Sequence, residues 1–245
     1  MITQLKKLFK PLENTIFHPQ WISYRNQQVL IDWLKAIANE NIILDIGCSE
    51  RWPERHLPPG NQYIGLDYPN TAIERYDSKV DIYANAEDLP FGKQTFDIII
   101  MFDVLEHISN AEKAFTEIYR VLKPGGKALI QVPFMYPIHD APYDYIRPTK
   151  HGLEMLAKRN NFIISSSGSR GKPLETAFLL TNIALVKSLL NAIEKNVFFA
   201  APLFPIVGVT SLFLNCMGWI ISKTCSEDEM MPFSYHIILT KMDDC

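Results

Sequence analysis

The sequence predicts an α/β protein built on a doubly wound, mostly parallel sheet, with an apolar helical insertion before the last strand. Two observations lead to this class. Short apolar runs of strand length alternate with segments whose apolar residues recur at helical spacing. The runs are continuously apolar, which is typical of parallel strands covered on both faces. The 245 residues suffice for one such domain and an addition.

The predicted strands are apolar runs rich in Ile, Leu, Val and Phe. In chain order they are Ile42–Ile46, Tyr63–Leu66, Phe96–Phe102, Ala128–Val132, Phe162–Ser165 and Tyr235–Thr240. The segment Val80–Tyr83 is a weaker candidate.

The segments between the later strands predict helices with defined ends. Ser109 and Glu112 have the spacing of a capping box, and an apolar stripe follows over 114–122. The turn Lys123–Gly126 ends this helix, because Pro fixes φ and Gly accepts positive φ. Thr149 is placed to cap a further helix.

Changes in composition divide the chain into four segments. These are an N-terminal helical segment (1–40), an α/β core (41–172), an apolar helical insertion (173–233) and the last strand with the C-terminus (234–245). Apolar and basic residues at helical spacing over 2–10 predict either a membrane-surface helix or a helix packed on the domain. No secretory signal is expected, because the N-terminus has no long apolar run.

Charge and cysteine content limit the kinds of partner and compartment that are expected for this chain. A formal net charge of -3 argues against nucleic acid as the main partner. Four cysteines without a CxxC pair predict reduced thiols in a cytoplasmic protein. The His and Asp positions have no repeated ligand spacing, so no metal site is expected.

Acidic residues and a glycine follow two predicted strands, at the sheet edge where open α/β sheets bind ligands. Asp45 and Gly47 lie in the stretch LDIGCS, and Asp67 ends the stretch GLD. An acidic residue in the second position is placed to accept hydrogen bonds from ribose hydroxyls. Ser49 and Arg51 stand where further glycines of a nucleotide-binding turn are expected.

Five stretches in this order resemble the class I S-adenosylmethionine-dependent methyltransferases. They are LDIGCS, GLD, NAEDLPF, FDIIIMFDVLEHI and RVLKPGG. The resemblance covers about residues 42–167 and resumes at the last strand. It implies the Rossmann-like methyltransferase fold, methyl transfer as the reaction and S-adenosylmethionine as the cofactor.

The resemblance implies contacts at the methionine end of the cofactor. Asp45 and the Gly47 backbone would face that end, with Ser49 a tolerable replacement for a glycine. Arg51 has three open roles: the cofactor carboxylate, the acceptor, or solvent.

The same resemblance assigns the rest of the cofactor. Asp67 would hold the ribose hydroxyls. Ala86 and Glu87 would border the adenine, and Phe102 and Asp103 would line the methionine side.

The loop after Ala128–Val132 carries the candidate acceptor residues, and it resembles a bacterial subgroup associated with surface-polysaccharide assembly. His139 is the proposed general base, with Asp144 orienting it and Arg147 binding an anionic acceptor group. Alternatively, Asp144 and Arg147 pair to brace the loop. His107 is a second candidate base, or it packs against its own helix turn.

The insertion contains Val197–Ile221, which has no charged residue and is long enough to span a membrane. A single span would separate the last strand from its sheet. The alternatives are a helical hairpin with Ala177–Leu190, an interfacial segment broken at Pro202 and Pro205, or a buried or homodimerising helical cap.

The expected function is methyl transfer to a hydroxyl of a sugar or lipid-linked glycan, at the cytoplasmic membrane face. One alternative is a methyltransferase acting on a quinone or other lipid. Another is a non-catalytic scaffold with this fold in a membrane-associated assembly.

Overall fold

The computed structural model describes residues 12, 14–70, 72, 80–225 and 228–242. The chain divides into two compact units. The first unit contains residues 1–28, 135–137 and 170–233, and the second contains 29–134, 138–169 and 234–245. The amphipathic segment predicted over 2–10 lies outside the described residues.

The described strands are β1 Ile42–Ile46, β2 Gln62–Asp67, β3 Ile82–Tyr83, β4 Phe96–Phe102, β5 Leu122–Pro133, β6 Phe162–Arg170 and β7 Ser234–Lys241. The described helices are α1 Trp21–Arg25, α2 Gln28–Lys35, α3 Ala111–Val121, α4 Lys150–Arg159, α5 Pro173–Lys195, α6 Val197–Ala200 and α7 Leu203–Ser222. Short 3₁₀ turns occupy Pro53–His56 and Leu105–His107.

The sheet has seven strands in the order β3-β2-β1-β4-β5-β7-β6. The strands from β3 to β5 pair in parallel, and β7 pairs antiparallel with β5. The order reverses between β1 and β4, which creates a switch point of the kind where such sheets bind ligands. The predicted fold class is therefore confirmed, including the apolar helical region before the last strand.

Both faces of the sheet are buried, which explains why the strands read as continuous apolar runs. Successive residues of β4 point to opposite faces. Ile99 belongs to a core cluster that includes Phe115 of α3, while Ile100 belongs to a second cluster that includes Leu34 of α2.

The start of α3 differs from the prediction. Asn110 is the N-cap, and its side chain accepts a hydrogen bond from the Lys113 N–H at 3.0 Å. The Ser109 hydroxyl donates instead to Glu87 Oε1 at 2.7 Å. The predicted capping box between Ser109 and Glu112 was wrong, because the adjacent Asn110 is an equally suitable cap and a tertiary contact uses Ser109.

The other predicted helix signals agree with the structure. Helix α3 ends at Val121, and Lys123–Gly126 bulges out of β5 between two paired residues, with Gly125 at φ 72. The Thr149 side chain accepts a hydrogen bond from the Gly152 N–H, as expected of the cap of α4.

The first unit contains the insertion, whose long apolar run does not form one helix. The run breaks between α6 and α7, and Pro202 is the N-cap of α7. Pro205 lies in the first turn of α7, where a missing N–H costs little. The predicted break therefore occurs at Pro202 and not at Pro205.

Helix α7 buries small and polar residues and exposes large apolar ones, the reverse of a helix on the surface of a soluble domain. Its buried residues are Ser211, Asn215, Gly218 and Ser222. Its exposed large apolar residues are Leu203, Phe204, Ile206, Val209, Phe213 and Ile220. Helices α5 and α7 are both long and apolar enough to cross a membrane, by length and composition.

Buried polar contacts of Asn182 join α5 to α7. The Asn182 Nδ2 group donates to Asn215 Oδ1 at 3.1 Å. It also donates to the Ser211 carbonyl oxygen at 3.3 Å. Small and polar residues between two helices, with apolar residues outside, are typical of helix pairs in lipid.

Candidate active site

A cavity of about 410 Å³ opens at the carboxyl ends of β1, β2 and β4, beside the switch point. Its volume lies in the usual range for small-molecule sites. All residues that line it belong to the second unit. The predicted cofactor residues that line it are Gly47, Ser49, Asp67, Ala86, Glu87, Phe102 and Asp103.

Asp45 lies behind the cavity wall and does not line the cavity. Its carboxylate is buried and accepts a hydrogen bond from the Tyr63 hydroxyl. Burial raises the pKa of Asp45 to about 7, and the Tyr63 hydroxyl limits this rise. Contact between Asp45 and the methionine end of a cofactor therefore stays a prediction.

The loop after β1 adopts left-handed backbone at the glycine position and at both positions where glycines are replaced. Gly47 has φ 75, Ser49 has φ 44 and Arg51 has φ 56. A Cβ on Gly47 would lie 2.2 Å from Val104 Cγ2, so a side chain is excluded there. The loop thus keeps the conformation of a glycine-rich turn while carrying two side chains that strain it.

Asp67 is the best-placed acceptor for a sugar hydroxyl. Its Oδ2 accepts from the Ser49 N–H at 2.9 Å, and its Oδ1 accepts from the Tyr68 N–H at 2.8 Å. Burial raises the pKa of Asp67, and these two N–H groups oppose that rise. Each carboxylate oxygen can accept a further hydrogen bond, so the pair can receive two vicinal hydroxyls.

The far side of the cavity is fixed by Glu87. Its Oε1 accepts from the Ser109 hydroxyl and from the Asn110 N–H at 2.9 Å. Buried Ala86 presents an apolar surface beside it. These contacts hold a partly apolar wall where the adenine was predicted.

Aromatic and amide groups lie at the part of the cavity that was predicted to hold the methionine end of the cofactor. Trp52 stacks on Phe102 with ring centroids 5.7 Å apart. The Gln131 side-chain amide donates to Asp103 Oδ1 at 2.7 Å, which fixes the orientation of that carboxylate.

Arg51 is engaged by side chains near its own loop. Its guanidinium pairs with Glu54 and with Asp81, at 2.8 and 2.7 Å respectively, and lies over the Tyr63 ring. Arg51 does not line the cavity. The hypothesis that it faces a cofactor carboxylate is therefore not supported, because two carboxylates of this chain already hold it.

Both candidate bases meet at one wall of the cavity. The Nε2 atoms of His107 and His139 lie 3.5 and 3.6 Å from Glu106 Oε1. The two imidazole rings meet edge to face at 4.9 Å. Glu106 is fully buried, which raises the pKa of its carboxyl, and His139 offsets part of this rise.

Asp144 and Arg147 form the pair that the bracing alternative described. Arg147 donates to both carboxylate oxygens of Asp144, and Asp144 Oδ2 accepts from the His139 N–H at 2.9 Å. Burial raises the pKa of Asp144, but these hydrogen bonds outweigh it and hold the pKa below its ordinary value. Arg147 does not line the cavity, so its contact with an anionic acceptor stays a prediction.

Sequence reasoning missed three residues of this site. Trp52 and Tyr68 line the cavity, and Glu106 lies beneath the histidines. The positions of Trp52 and Tyr68 just after strand-end motifs could have indicated them. Nothing in the sequence marks Glu106 as buried, since a glutamate on a short turn is usually exposed.

Comparison with known proteins finds a family model that matches part of the chain. Residues 44–130 match a family model described as "Methyltransferase domain". A probable S-adenosylmethionine-dependent methyltransferase of Mycolicibacterium smegmatis is 29% identical over 116 residues, which is 45% of each protein. The ubiquinone/menaquinone biosynthesis C-methyltransferase UbiE of Psychromonas ingrahamii is 30% identical over 114 residues, or 45% of this chain and 43% of the relative. The chain therefore spans less than half the length of these relatives.

Solved structures share the fold. The [4+2]-cyclase SpnF covers 99% of this chain and 96% of its own, with a TM-score of 0.57 and 17% identity. An S-adenosylmethionine-dependent methyltransferase from Mesorhizobium loti covers 90% of this chain and 100% of its own, with a TM-score of 0.53 and 12% identity. At this identity the likeness concerns the fold alone, and a fold does not determine a reaction.

The cavity fits S-adenosylmethionine on its own chemistry. Asp67 offers fixed acceptors to a ribose, and Gly47 lines the cavity without a side chain. Ala86 and Phe102 offer apolar surfaces, while the Asp103 carboxylate offers an acceptor for an ammonium group.

Proposed function

We propose that this chain, whose residues 44–130 match a methyltransferase domain model, is a class I S-adenosylmethionine-dependent methyltransferase that methylates a hydroxyl of a sugar or lipid-linked glycan. The observation that carries the proposal is the position of Asp67. Its two oxygens are fixed by backbone N–H groups at the mouth of a cavity of suitable size, and both can still accept ribose hydroxyls.

S-adenosylmethionine, when bound, supplies a methyl group on a sulfonium that is already activated. The protein therefore mainly has to position an acceptor and remove its proton. Asp67 holds the ribose, Ala86 and Glu87 border the adenine, and Asp103 receives the amino acid end. His107 and His139 line the same cavity and would face the acceptor.

The acceptor enters from the side of Tyr143 and Tyr145, which also line the cavity. Aromatic faces of this kind stack on sugar rings, and the neighbouring histidines reach a hydroxyl placed there. This arrangement favours an oxygen acceptor on a sugar-like ring.

The first unit supports a location at the membrane surface. Its α7 exposes a row of apolar side chains, and its buried side is polar. Exposed apolar surface of this extent marks a contact with lipid or with another protein. We assign it to the cytoplasmic face of a membrane, where lipid-linked acceptors are found.

A second candidate acceptor is a quinone or a related lipid. It is favoured by the similarity to the UbiE methyltransferase of Psychromonas ingrahamii, although that relative is matched over less than half of its length. A quinone ring would use the same aromatic entrance at Tyr143 and Tyr145.

A transfer assay with methyl-labelled S-adenosylmethionine separates these readings. The protein is incubated in parallel with lipid-linked oligosaccharide extracts and with quinone extracts, and products are identified by mass. Label in the glycan fraction is expected, and label only in the quinone fraction would favour the second candidate. At subsaturating S-adenosylmethionine, Asp67→Asn should lower transfer by about 10–100-fold, whereas Asp32→Asn on the exposed side of α2 should not change it. Absence of label in both fractions would favour the scaffold alternative.

A further inference from the structure

Glu106 is a fully buried carboxyl group whose side-chain oxygens form no hydrogen bond among the described residues. Buried charged groups are normally paired or coordinate metals, because leaving one without a partner is costly. The position of Glu106 beneath two histidines that line the cavity therefore requires an explanation.

Two imidazole nitrogens converge on this carboxylate. The Nε2 atoms of His107 and His139 lie 3.5 and 3.6 Å from Glu106 Oε1, too far for good hydrogen bonds. Ligands of one tetrahedral cation at about 2.1 Å are about 3.4 Å apart, close to these separations. One ligand atom from each of the three residues lies within 4.8 Å of the others.

The outer nitrogens of both rings are held by other groups. The Tyr143 carbonyl oxygen contacts His107 Nδ1, which requires the proton on Nδ1 and leaves a lone pair on Nε2 in the neutral ring. His139 Nδ1 lies 3.4 Å from Asp144 Oδ2 and 3.4 Å from Arg147 Nη2. The Arg147 N–H group can only donate, so its contact needs an unprotonated Nδ1, whereas a proton on Nδ1 would donate to Asp144 Oδ2. Cation binding at Nε2 of the neutral ring requires the second arrangement, with the carboxylate as the partner of Nδ1. Outer partners of this kind are typical of metal-binding histidines.

The cluster lies between the core and the cavity. Glu106 closes it from the core, while His107 and His139 line the cavity next to Tyr143 and Tyr145. A cation bound here would keep coordination positions free toward the cavity. Open positions distinguish catalytic metal sites from structural ones.

We propose that Glu106, His107 and His139 bind a divalent cation of the zinc class, whose open positions take an oxygen of the acceptor. Two imidazoles and one carboxylate suit zinc, cobalt or ferrous iron better than magnesium or calcium. The sequence expectation of no metal site missed this set because its members stand at 106, 107 and 139, without a recognisable spacing.

The role of the cation rests on the proposed methyl transfer. A hydroxyl bound to such a cation loses its proton more readily. The proton leaves to solvent through the open side of the cavity, and the oxygen is left as the nucleophile. In this arrangement the histidines hold the cation, and neither of them acts as the general base.

The test is a titration of the chelator-treated, desalted full chain with Co²⁺ alone, followed by its visible d–d absorption. One Co²⁺ per chain is expected at micromolar concentrations, and Zn²⁺ should displace it. Glu106→Gln and His139→Ala should each weaken Co²⁺ binding by about 100-fold or more. Loss of a group that only hydrogen-bonds to a ligand typically weakens metal binding by about 10–100-fold. Circular dichroism checks that each variant is folded, and the partly exposed His139 provides the second variant should Glu106→Gln not fold.

His151→Asn on α4 is the matched control. His151 Nδ1 lies 3.6 Å from Glu154 Oε2, a similar pair of groups at a similar distance, but its side chain is 89% exposed. Co²⁺ affinity should not change in this variant. Absence of a 1:1 complex, or equal affinity in the wild type and His139→Ala, would overturn the proposal.

A parallel titration with S-adenosylmethionine separates the two proposals. Binding of S-adenosylmethionine without Co²⁺ binding leaves the methyl-transfer proposal standing and overturns the cation site. Binding of Co²⁺ to Glu106, His107 and His139 without S-adenosylmethionine binding supports the site and removes the methyl-transfer role.

Discussion

The backbone N–H of Ser49 donates to Asp67 Oδ2 at 2.9 Å, and this contact ties the loop after β1 to the end of β2. The loop therefore holds the carboxylate that we assign to the ribose. The donor is a backbone group, so the contact tolerates a change of side chain at position 49 but requires its N–H and its left-handed φ of 44.

Ser49→Gly should preserve the site. Glycine relieves the strain of left-handed backbone, which stabilises the folded state by about 1 kcal/mol. It also increases the conformational entropy of the unfolded chain, which destabilises the fold by a similar amount. The free energy of unfolding should change by less than about 1 kcal/mol, and S-adenosylmethionine affinity by less than about threefold. Ser49→Pro removes the N–H and forces negative φ. If calorimetry gave Ser49→Pro the wild-type affinity, the contact would not matter for binding.

Gly47→Ala should destabilise the fold. Its φ is 75, and the new Cβ would lie 2.2 Å from Val104 Cγ2. Left-handed backbone and overpacking together cost about 2–4 kcal/mol, measured by urea unfolding. Adding Val104→Ala should recover the overpacking part only. If Gly47→Ala and the double variant lost the same free energy of unfolding, backbone strain alone would be responsible.

Asp45 should make the stability depend on pH in an unusual direction. Its pKa is about 7 in the folded protein against 3.8 ordinarily, because the carboxyl is buried. Between these values the folded state holds a proton that the unfolded chain has released, so stability falls as pH rises, by up to about 1.4 kcal/mol per pH unit. Above about pH 7 both states are ionised and this loss ends.

Urea unfolding of the wild type and Asp45→Asn across this pH range isolates the effect. The difference between the two proteins should grow from pH 4 to about pH 7 and then level off. A constant difference would mean that Asp45 is ionised throughout and that burial does not raise its pKa.

Phe213→Glu should reduce binding to lipid vesicles. Phe213 is 59% exposed on the apolar side of α7, and burial of a phenylalanine side chain contributes about 2 kcal/mol. Flotation with vesicles of phosphatidylethanolamine and phosphatidylglycerol should show at least about tenfold weaker association. Met155→Glu is the control, because Met155 is 50% exposed on α4 of the other unit. Wild-type protein that stays out of the vesicle fraction would contradict the membrane location.

Much of the fold follows from the sequence because its strands are buried on both faces. Ile42–Ile46 and Phe96–Phe102 were predicted with the bounds that the structure has, since each is an apolar run interrupted by a single aspartate, Asp45 or Asp97. Cap positions were less predictable: Ser109 and Asn110 are both good caps, and only the contact of Ser109 with Glu87 decides between them.

The location of a residue at the cavity was predictable where its type and its place in a strand together indicate a ligand contact. Asp67 ends an apolar strand, where an acidic group serves a ligand more readily than the core. Arg51 and Glu106 have no such signal. Arg51 is held by Asp81, and Glu106 meets His139, so both environments depend on long-range contacts that no local pattern records.

A calorimetric titration of the wild type and Asp67→Asn with S-adenosylmethionine tests the central claim most directly. The wild type should bind one molecule per chain. Asp67→Asn should weaken binding by about 10–100-fold, because charge-assisted hydrogen bonds to the ribose contribute about 1.5–3 kcal/mol. Asp32→Asn should bind like the wild type. No heat of binding with the wild type, or equal affinity for Asp67→Asn, would contradict the assignment of this cavity to the cofactor.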